Sequence, residues 1–336
     1  MRHQAMKRRL VKATVVASAI ALAMTGCGVT GDSGSETADG PIESLQFLVP
    51  NSPGGGYDIT ARSAVRVIEG LGLANGTEVT NLAGAGGTIG LTRLVEAESG
   101  NGNFLSIMGL GMVGPTILNQ TDSRVTDGTP IARLLEEAEA IFVPADSPFE
   151  TVGDFIAAWK EDPEKLPVGG GGALGGPDSL LLMMLAEEVG IDASQVNFVP
   201  YAGGGEMLPG VLSGELAVGV SGYGEYLDQL EAGDLRILAV SSEERVTIVD
   251  APTLTEEGID LVFANWRGIL APPNITEEET AKFIDVVTEM AESDEWAQVL
   301  EDNGWADAFL PGEDFGAFLA EQDTRIEEVL VSLGLV

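Results

Sequence analysis

One segment near the start of the chain combines a strand, a glycine loop and a helix: Leu45-Gln-Phe-Leu-Val-Pro-Asn-Ser-Pro-Gly-Gly-Gly-Tyr-Asp-Ile-Thr-Ala-Arg62. Residues 45–49 form an apolar run of strand length. Two prolines and three glycines in residues 50–56 cannot continue a β-ladder or a helix. After Asp58 the apolar residues recur at helical spacing, at Ala64, Val67, Ile68 and Leu71. The segment therefore predicts a buried strand whose loop leads directly into a helix N-terminus.

This first loop has the features of an anion-binding site. Its glycines, residues 54–56, leave backbone N–H groups unscreened by side chains, and a helix start carries a partial positive charge. Together these properties favour a negatively charged group of a ligand. The alternative is a tight strand-to-helix turn that binds nothing, because an isolated glycine motif is a weak indicator.

The same succession recurs along the chain. Glycine loops at residues 83–88, 167–179, 201–205 and 221–224 each follow an apolar run and precede a predicted helix or turn. Residues 104–110 and 140–143 predict further strands, and residues 111–115 predict a glycine-containing turn. This alternation is typical of α/β layers with a mostly parallel sheet. In such sheets, ligands bind beyond the carboxyl ends of the strands, where the loops gather.

The N-terminus has the features of an export signal. Residues 1–26 combine a basic start with an apolar run at residues 13–23 that is too short to span a bilayer. Small residues precede Cys27, the only cysteine, and this resembles a bacterial lipoprotein signal in which cleavage exposes Cys27 for lipidation. The alternative is an ordinary secretory signal followed by a chance cysteine. Residues 27–40 are small, polar and acidic, as expected of a disordered tether. We therefore expect an extracytoplasmic protein, in the periplasm or on the outer face of the cytoplasmic membrane, held by a lipid anchor only.

The charge of the mature chain limits its partners. Cleavage before Cys27 would leave 310 residues with 53 acidic and 12 basic side chains, a net charge of −41. This length suits two lobes better than a single core. Nucleic acid and anionic lipid surfaces are disfavoured by the charge. Any attraction for an anionic ligand must therefore be local, made by backbone dipoles and a few arginines.

Composition also disfavours catalysis and metal binding. The only histidine, His3, would leave with the signal, so the mature chain lacks a Ser/His/Asp or Cys/His unit and any His/Cys metal cluster. Gly170, Gly172 and Gly175 match the dinucleotide pattern G-x-G-x-x-G, but only within a run of glycines. No pair of carboxylates has a spacing that singles it out for acid/base chemistry. We therefore expect no catalytic residue, no metal and no cofactor.

Several sequence blocks occur in the order of a known family. They are Pro53-Gly-Gly-Gly-Tyr-Asp58, Asn81-Leu-Ala-Gly-Ala-Gly-Gly-Thr88, Val143-Pro-Ala-Asp-Ser-Pro148, Phe198-Val-Pro-Tyr-Ala-Gly-Gly-Gly-Glu206, Leu238-Ala-Val-Ser-Ser242 and Asn265-Trp-Arg-Gly268. Over residues 42–336 the chain resembles the extracytoplasmic solute receptors of tripartite tricarboxylate transporters, the TctC or Bug proteins. The resemblance implies an α/β, two-lobed periplasmic-binding-protein fold of type II, each lobe a mostly parallel sheet flanked by helices. Lobe 1 would comprise residues 41–138 and 243–336, and lobe 2 residues 139–242.

The resemblance also implies a function. Receptors of this kind bind carboxylates, including tricarboxylates, C4-dicarboxylates, acidic amino acids and aromatic acids, in the cleft between the lobes. They hand the ligand to a small and a large membrane subunit. We expect a monomer that holds its ligand largely through backbone N–H groups and ordered water.

The residues that would contact the ligand follow from the matching positions. The first loop supplies Gly54, Gly55, Gly56 and Asp58; the loop of the second lobe supplies Gly172, Ala173, Gly176, Asp178 and Ser179; a third wall consists of Ser221, Gly222 and Tyr223; and Trp266 and Arg267 match the Trp-Arg pair of the family. Family members often have Ser/Thr and His near residues 177–179. This chain has Pro177, Asp178 and Ser179 there and no histidine, so its ligand preference is expected to differ.

Some of these assignments have a structural alternative. The planar fork of Arg267 can bind both oxygens of a carboxylate, but it can also pair with one of the many acids of the chain. Asp58 is well placed to cap the helix and hold the loop, and badly placed to touch an anion. Residues 84–88 are interpreted as structural rather than contacting. Trp159, Trp296 and Trp305 are expected in the core.

Three other functions stay open on the sequence alone. The same fold can present its ligand to a membrane sensor kinase instead of a transporter. A secreted hydrolase that uses carboxylates would turn its substrate over, whereas a receptor returns its ligand unchanged. A cell-surface scaffold would bind a protein partner and no small molecule.

Overall fold

The structure is a computed structural model, and it describes residues 40–336. The predicted signal peptide and Cys27, with the tether up to residue 39, lie outside the described residues. In the described part of the chain, no helix is both long enough and apolar enough to cross a membrane.

Residues 40–336 contain twelve strands. They are β1 Ile42–Glu43, β2 Gln46–Val49, β3 Ala74–Asn75, β4 Glu78–Asn81, β5 Phe104–Gly109, β6 Thr129–Pro144, β7 Val168–Gly170, β8 Phe198–Pro200, β9 Val218–Gly222, β10 Leu235–Val240, β11 Ala264–Ala271 and β12 Ala306–Pro311. β1 and β3 form a short two-stranded parallel sheet, and the other ten strands form one large sheet.

The large sheet is mixed. Its strand order is β4-β2-β5-β11-β6-β9-β7-β8, and β10 and β12 also pair with β6. The parallel pairs lie toward the two ends, in β4-β2-β5 and in β9-β7-β8. The central strands β6 and β11 run antiparallel to all their partners. The predicted α/β fold is confirmed, with parallel strands where the glycine loops predicted them and antiparallel strands between.

The long strand β6 connects the two parallel groups. Its residues 129–138 pair with β11, and β12 pairs within the same stretch. From Glu139 onward β6 pairs with β9 and β10 instead. The lobe boundary expected after residue 138 coincides with this change of partners, and the assignment of the lobes stays a prediction.

Ten α-helices are present among the described residues. They are α1 Gly56–Gly70, α2 Thr88–Thr92, α3 Leu110–Leu118, α4 Val152–Glu161, α5 Pro177–Glu188, α6 Gly204–Leu212, α7 Leu227–Ala232, α8 Glu277–Ala291, α9 Asp294–Asn303 and α10 Gly312–Ser332. α2 continues into a π-helical segment, Arg93–Ala97. α8 begins with a capping box, because the Thr276 hydroxyl accepts from the Glu279 amide at 3.1 Å and the Glu279 carboxylate accepts from the Thr276 amide at 2.8 Å.

The three tryptophans expected in the core are buried. Trp159 and Trp296 are fully inaccessible, and Trp305 is nearly so. Trp159 stacks on Phe155 with ring centroids 5.0 Å apart. Burial of an aromatic side chain of this size stabilises a fold by about 2–3 kcal/mol, so these residues act in stability rather than in binding.

The turn predicted at residues 111–115 is wrong, because these residues lie inside α3. Glycine is used here for close approach. A Cβ at Gly114 would collide with the carbonyl group of Gly175, and a Cβ at Gly111 would come within 2.9 Å of the Tyr57 hydroxyl. Packing therefore overrides the low helix propensity of glycine.

The strand predicted at residues 140–143 is only the end of β6. Charged residues earlier in the strand, among them Arg133, Glu137 and Glu139, interrupt the apolar pattern and hide it from sequence analysis. They remain in the sheet because each has a partner. Glu137 pairs with Arg267, and Glu139 accepts a hydrogen bond from Asn265 at 2.9 Å.

Candidate ligand-binding cleft

A cavity of about 320 Å³ lies where the glycine loops meet. It is lined by residues from the loops that follow β2, β4, β7, β8 and β9, that is, from within 50–57, 83–87, 171–178, 200–202 and 221–225, together with Gly111, Glu139, Asn265 and Arg267. Most of these loops follow the carboxyl ends of parallel strands, which is where ligands bind in open α/β sheets. The volume suits a small organic molecule.

The loops face one another across this cavity. A Cβ at Gly86 would come within 3.2 Å of the Cβ of Ala173, which belongs to the loop after β7. Gly84, Gly86 and Gly87 have positive φ angles of 142°, 66° and 88°. Because only glycine adopts such angles readily, the loop after β4 requires these residues. The structure places residues 83–87 in the lining of the cavity, although residues 84–88 were interpreted as structural.

The structure brings together eight of the fourteen residues predicted to contact a ligand. The residues that line the cavity are Gly56, Gly172, Ala173, Gly176, Asp178, Ser221, Gly222 and Arg267. The other six are not part of the lining: Gly54, Gly55, Asp58, Ser179, Tyr223 and Trp266. Contact with a ligand stays a prediction for all fourteen.

Asp58 holds the first loop in place. Its carboxylate accepts hydrogen bonds from the Gly54 amide at 2.9 Å, from Arg62 Nε at 2.8 Å and from Asn81 Nδ2 at 2.9 Å. Burial acts to raise the pKa of Asp58, but these hydrogen bonds outweigh it and hold the pKa below its usual value. Gly54 has a φ of 83°, so the loop needs glycine there. Asp58 thus holds the loop, as in the structural alternative, but it does not cap α1, whose N-cap residue is Gly55 without a side-chain cap.

Ser179 has the same function in the loop before α5. Its hydroxyl accepts from the Gly175 amide at 2.8 Å and donates to the Gly176 carbonyl at 3.0 Å. Trp266 is buried against Phe315 and Phe318 in edge-to-face contacts. The Tyr223 hydroxyl donates to the Gly304 carbonyl. Each of these residues supports the wall of the cavity from behind.

Arg267 lines the cavity but already has partners. It forms a buried ion pair with Glu137, donates to the Thr60 hydroxyl at 3.0 Å and lies over the Trp305 ring at 5.2 Å from its centroid. Gly56 must be glycine for this arrangement, because a Cβ there would collide with the guanidinium. The structural pairing anticipated as the alternative for Arg267 is therefore present.

Glu225 was not among the residues predicted from the sequence. This carboxylate accepts a hydrogen bond from the Gly56 amide, at the N-terminus of α1, over 2.9 Å. The predicted anion-binding position thus holds a carboxylate of the chain itself, from a residue 169 positions away. Burial raises the pKa of Glu225 to about 7, with a further rise from Glu137, while Arg267 and the Gly56 and Gly204 amides act against it. The only local signal was its place directly after the glycine loop at 221–224.

Two further acids face the same cavity. Glu139 on β6 is fully buried, and Asp178 in the first turn of α5 is 4% exposed. Burial raises the pKa of Glu139 well above its usual value, and the charges of Asp178 and Glu137 add to the rise. Burial also raises the pKa of Asp178 to about 7, with a contribution from Glu225. Asp178 was predicted at this site, whereas Glu139 was missed.

Several buried polar atoms of the lining lack a hydrogen-bond partner within residues 40–336. They are Tyr57 Oη, Glu139 Oε2, Asp178 Oδ2, Glu225 Oε2, Asn265 Oδ1 and Arg267 Nε. Buried polar groups in folded proteins are normally paired, so these atoms are available to a ligand or to water. Among the described residues, no three His, Cys, Asp or Glu side chains are arranged to hold a metal ion.

The fold and the position of the cavity are those of a periplasmic-binding protein, a class of receptors for small solutes. A TctC solute binding protein from Polaromonas has the same fold, with a TM-score of 0.64 and 26% identity over 87% of this chain and 99% of that one. The sequence profile of the Tripartite tricarboxylate transporter family receptor, TctC, matches residues 65–335. The chain belongs to this family, which consists of receptors and not of enzymes.

Other relatives and structures agree. A UPF0065 protein in the gbd 5' region of Cupriavidus necator is 25% identical over 326 residues, 96% of this chain and 97% of the relative. BugT of Bordetella pertussis is 28% identical over 237 residues, 69% of this chain and 71% of BugT. MatC from Rhodopseudomonas palustris with bound malate has a TM-score of 0.75 at 24% identity over 86% of this chain and 99% of MatC. An R. palustris protein with adipate has a TM-score of 0.77 at 23% identity over 88% of this chain and 99% of that one.

Proposed function

We propose that this receptor captures an organic carboxylate, a tricarboxylate, dicarboxylate or related acid, in the cavity formed by the glycine loops. Lobe 1, residues 41–138 and 243–336, and lobe 2, residues 139–242, close on the ligand by hinge motion. The loaded receptor then delivers the acid to the small and large membrane subunits of a tripartite transporter.

One observation carries this proposal. The Gly56 amide at the N-terminus of α1 donates to a carboxylate, that of Glu225, at 2.9 Å. Gly56 belongs to the proposed lobe 1 and Glu225 to the proposed lobe 2, so this hydrogen bond joins the two lobes across the cavity. A ligand carboxylate makes the same interaction when it replaces Glu225, because the helix dipole and the free amide attract any carboxylate. The malate and adipate bound to the two R. palustris proteins are dicarboxylates, which supports this ligand class.

The location of the receptor is part of the proposal. The family acts outside the cytoplasm, and we propose that lipidated Cys27 anchors the chain, as a monomer, to the outer face of the cell membrane through the tether at residues 27–40. Labelling with a radioactive fatty acid tests the anchor, and substitution of Cys27 by serine is expected to abolish the label and release the protein.

The ligand class is tested by thermal denaturation of a protein comprising residues 41–336 with a panel of di- and tricarboxylates. A ligand at about 100 times its Kd stabilises the folded state by about 2.7 kcal/mol, which raises Tm by about 5 °C. Absence of a shift with every acid of the panel would contradict the proposal.

Two glycine variants make the test specific to the cavity. Gly172 lines the cavity and Gly205 does not, and a Cβ at either position would have nothing within 4 Å. We expect Gly172→Leu to weaken the binding of the acid found in the panel at least about tenfold, because its side chain enters the cavity. Gly205→Leu is the matched control and is expected to bind normally. Equal affinities in the two variants would place the binding site elsewhere.

A further inference from the structure

Three acidic side chains approach the cavity from separate parts of the fold. Glu139 lies on β6, Asp178 at the start of α5, and Glu225 between β9 and α7. Glu139 is fully buried and Asp178 is 4% exposed. Carboxyl groups are rarely buried to this degree without a positively charged partner, because removing their charge from water is costly. Their convergence on one cavity calls for a counter-charge or for hydrogen-bond donors.

The cavity wall does not supply that counter-charge. Among the described residues of the lining, Arg267 is the only cation, and Glu137 behind the wall already forms a buried ion pair with it. The three acids therefore have no cationic partner of their own. A ligand that carries only carboxylates would add further negative charge beside them, which is unfavourable at low local dielectric.

The unpaired hydrogen-bonding groups of the wall also favour a ligand that donates hydrogen bonds. Four acceptor oxygens of the lining have no donor within residues 40–336: Glu139 Oε2, Asp178 Oδ2, Glu225 Oε2 and Asn265 Oδ1. Among the side chains of the lining within residues 40–336, only two groups that can donate are open, the Tyr57 hydroxyl and Arg267 Nε. A carboxylate accepts but does not donate, so it cannot satisfy the Asn265 oxygen or the oxygens of the three acids in their ionised form. An ammonium group brings three donors and a positive charge, and a guanidinium brings five donors.

We propose that the ligand of this receptor carries a positively charged nitrogen, and that Glu139, Asp178 and Glu225 bind it. This inference rests on the proposed function for the other end of the ligand, whose carboxylate takes the Gly56 amide from Glu225. The exchange releases Glu225 to pair with the ammonium group of the ligand. The receptor is thus selective for amine-bearing organic acids over acids without nitrogen.

Matched pairs of compounds test the inference directly. Malate and aspartate differ by a hydroxyl against an ammonium group, and adipate and α-aminoadipate by a hydrogen against an ammonium group. Titration calorimetry at neutral pH, with EDTA present to remove metal ions, gives the Kd for each. We expect the amine-bearing acid of at least one pair to bind at least about tenfold more tightly than its partner, which corresponds to about 1.4 kcal/mol. Putrescine, a diamine without a carboxylate, completes the panel.

The outcomes separate the inference from the proposed function. Equal or tighter binding of the acids without nitrogen would overturn the inference and leave the proposed function intact. Binding of putrescine with no binding of any acid would support the inference and overturn the proposed function. If no compound of the panel binds, both are overturned.

Variants then assign the selectivity to the three acids. Asp178→Asn and Glu139→Gln keep the size of the side chain and remove its charge, and each is expected to reduce the ratio of Kd values within a pair at least about threefold. A residue with a purely structural role would change both members of a pair alike and leave the ratio unchanged. Asp228→Asn, at an exposed position on α7, is the control and is expected to keep the wild-type ratio. An unchanged ratio in both cavity variants would contradict the assignment.

Discussion

Substitution of Glu225 by glutamine tests the electrostatics of the cavity without a ligand. In the folded protein the pKa of Glu225 is about 7, against an ordinary value of 4.5. The unfolded chain therefore ionises Glu225 at lower pH than the folded chain does. Stability from the protonated group is fully present below about pH 4.5 and is lost as the pH rises through 7. Glutamine has no proton to lose and can still accept from the Gly56 amide.

The expected magnitude follows from the shift in pKa. One pKa unit corresponds to about 1.36 kcal/mol, so at pH 8 the ionised Glu225 lowers the free energy of unfolding by at most about 3 kcal/mol. Asp178, Glu137 and Arg267 also act on Glu225, and rearrangement of these neighbours reduces the effect. We therefore expect the free energy of unfolding of Glu225→Gln, relative to that of wild type, to rise by about 1–3 kcal/mol between pH 5 and pH 8.

Urea denaturation of ligand-free protein at the two pH values measures this change. The quantity of interest is the difference in the free energy of unfolding between variant and wild type at pH 8, minus the same difference at pH 5. Asp228→Asn, whose side chain is exposed on α7, is expected to give a value near zero. A value near zero for Glu225→Gln as well, or a negative value, in which wild type becomes the more stable of the two as the pH rises, would refute the electrostatic reasoning.

Three further predictions concern the elements around the cavity. Arg267→Gln leaves Glu137 buried without its partner, and urea denaturation is expected to show a loss of about 3–5 kcal/mol in the free energy of unfolding. The double variant with Glu137→Gln should recover part of that loss, and no recovery would contradict the pairing. Asp58→Asn is expected to lower the free energy of unfolding by about 1–3 kcal/mol at pH 7, and this loss should shrink as the pH falls toward 3, because the pKa of Asp58 is lowered in the folded protein. A loss that does not depend on pH would mean that the ionised carboxylate is not what holds the loop. Thr276→Ala is expected to cost about 1 kcal/mol through the cap of α8 and to leave ligand affinity unchanged, as isothermal titration would establish; weakened binding would mean that α8 is coupled to the cavity.

The fold could be predicted from the sequence to the extent that its signals are local. The strand, glycine loop and helix of residues 45–62 are encoded in neighbouring residues, and so are the cap of α8 and the apolar helix α5. Such elements are predictable from periodicity and from turn residues. The α3 helix was not, because its glycines serve tertiary contacts with Gly175 and Tyr57, and contact partners distant in sequence leave no local pattern.

The site divides in the same way. Its backbone half, including Gly56, Gly172 and Ser221, was predicted, because glycine loops before helices are visible in the sequence. Its acidic half was predicted only at Asp178, because in a chain with 53 acidic residues one more glutamate carries little information. Glu139 had one usable signal, since it directly precedes the apolar residues 140–144 at the end of β6. Charged residues beside such a stretch are candidates for a buried site.

Glu225 gives the cavity a way to reject incorrect ligands as well as to bind correct ones. Any acid that binds the Gly56 amide must first displace this carboxylate, which then faces Glu139 and Asp178 without its hydrogen bond from Gly56. An acid without nitrogen therefore leaves the Glu225 carboxylate unpaired in the cavity wall, and its net free energy of binding is small. An amine-bearing acid supplies the missing donors, and its positive charge offsets the repulsion among the three acids. Selectivity then arises from the unfavourable state that the wrong ligand creates, an effect that attractive contacts alone do not provide.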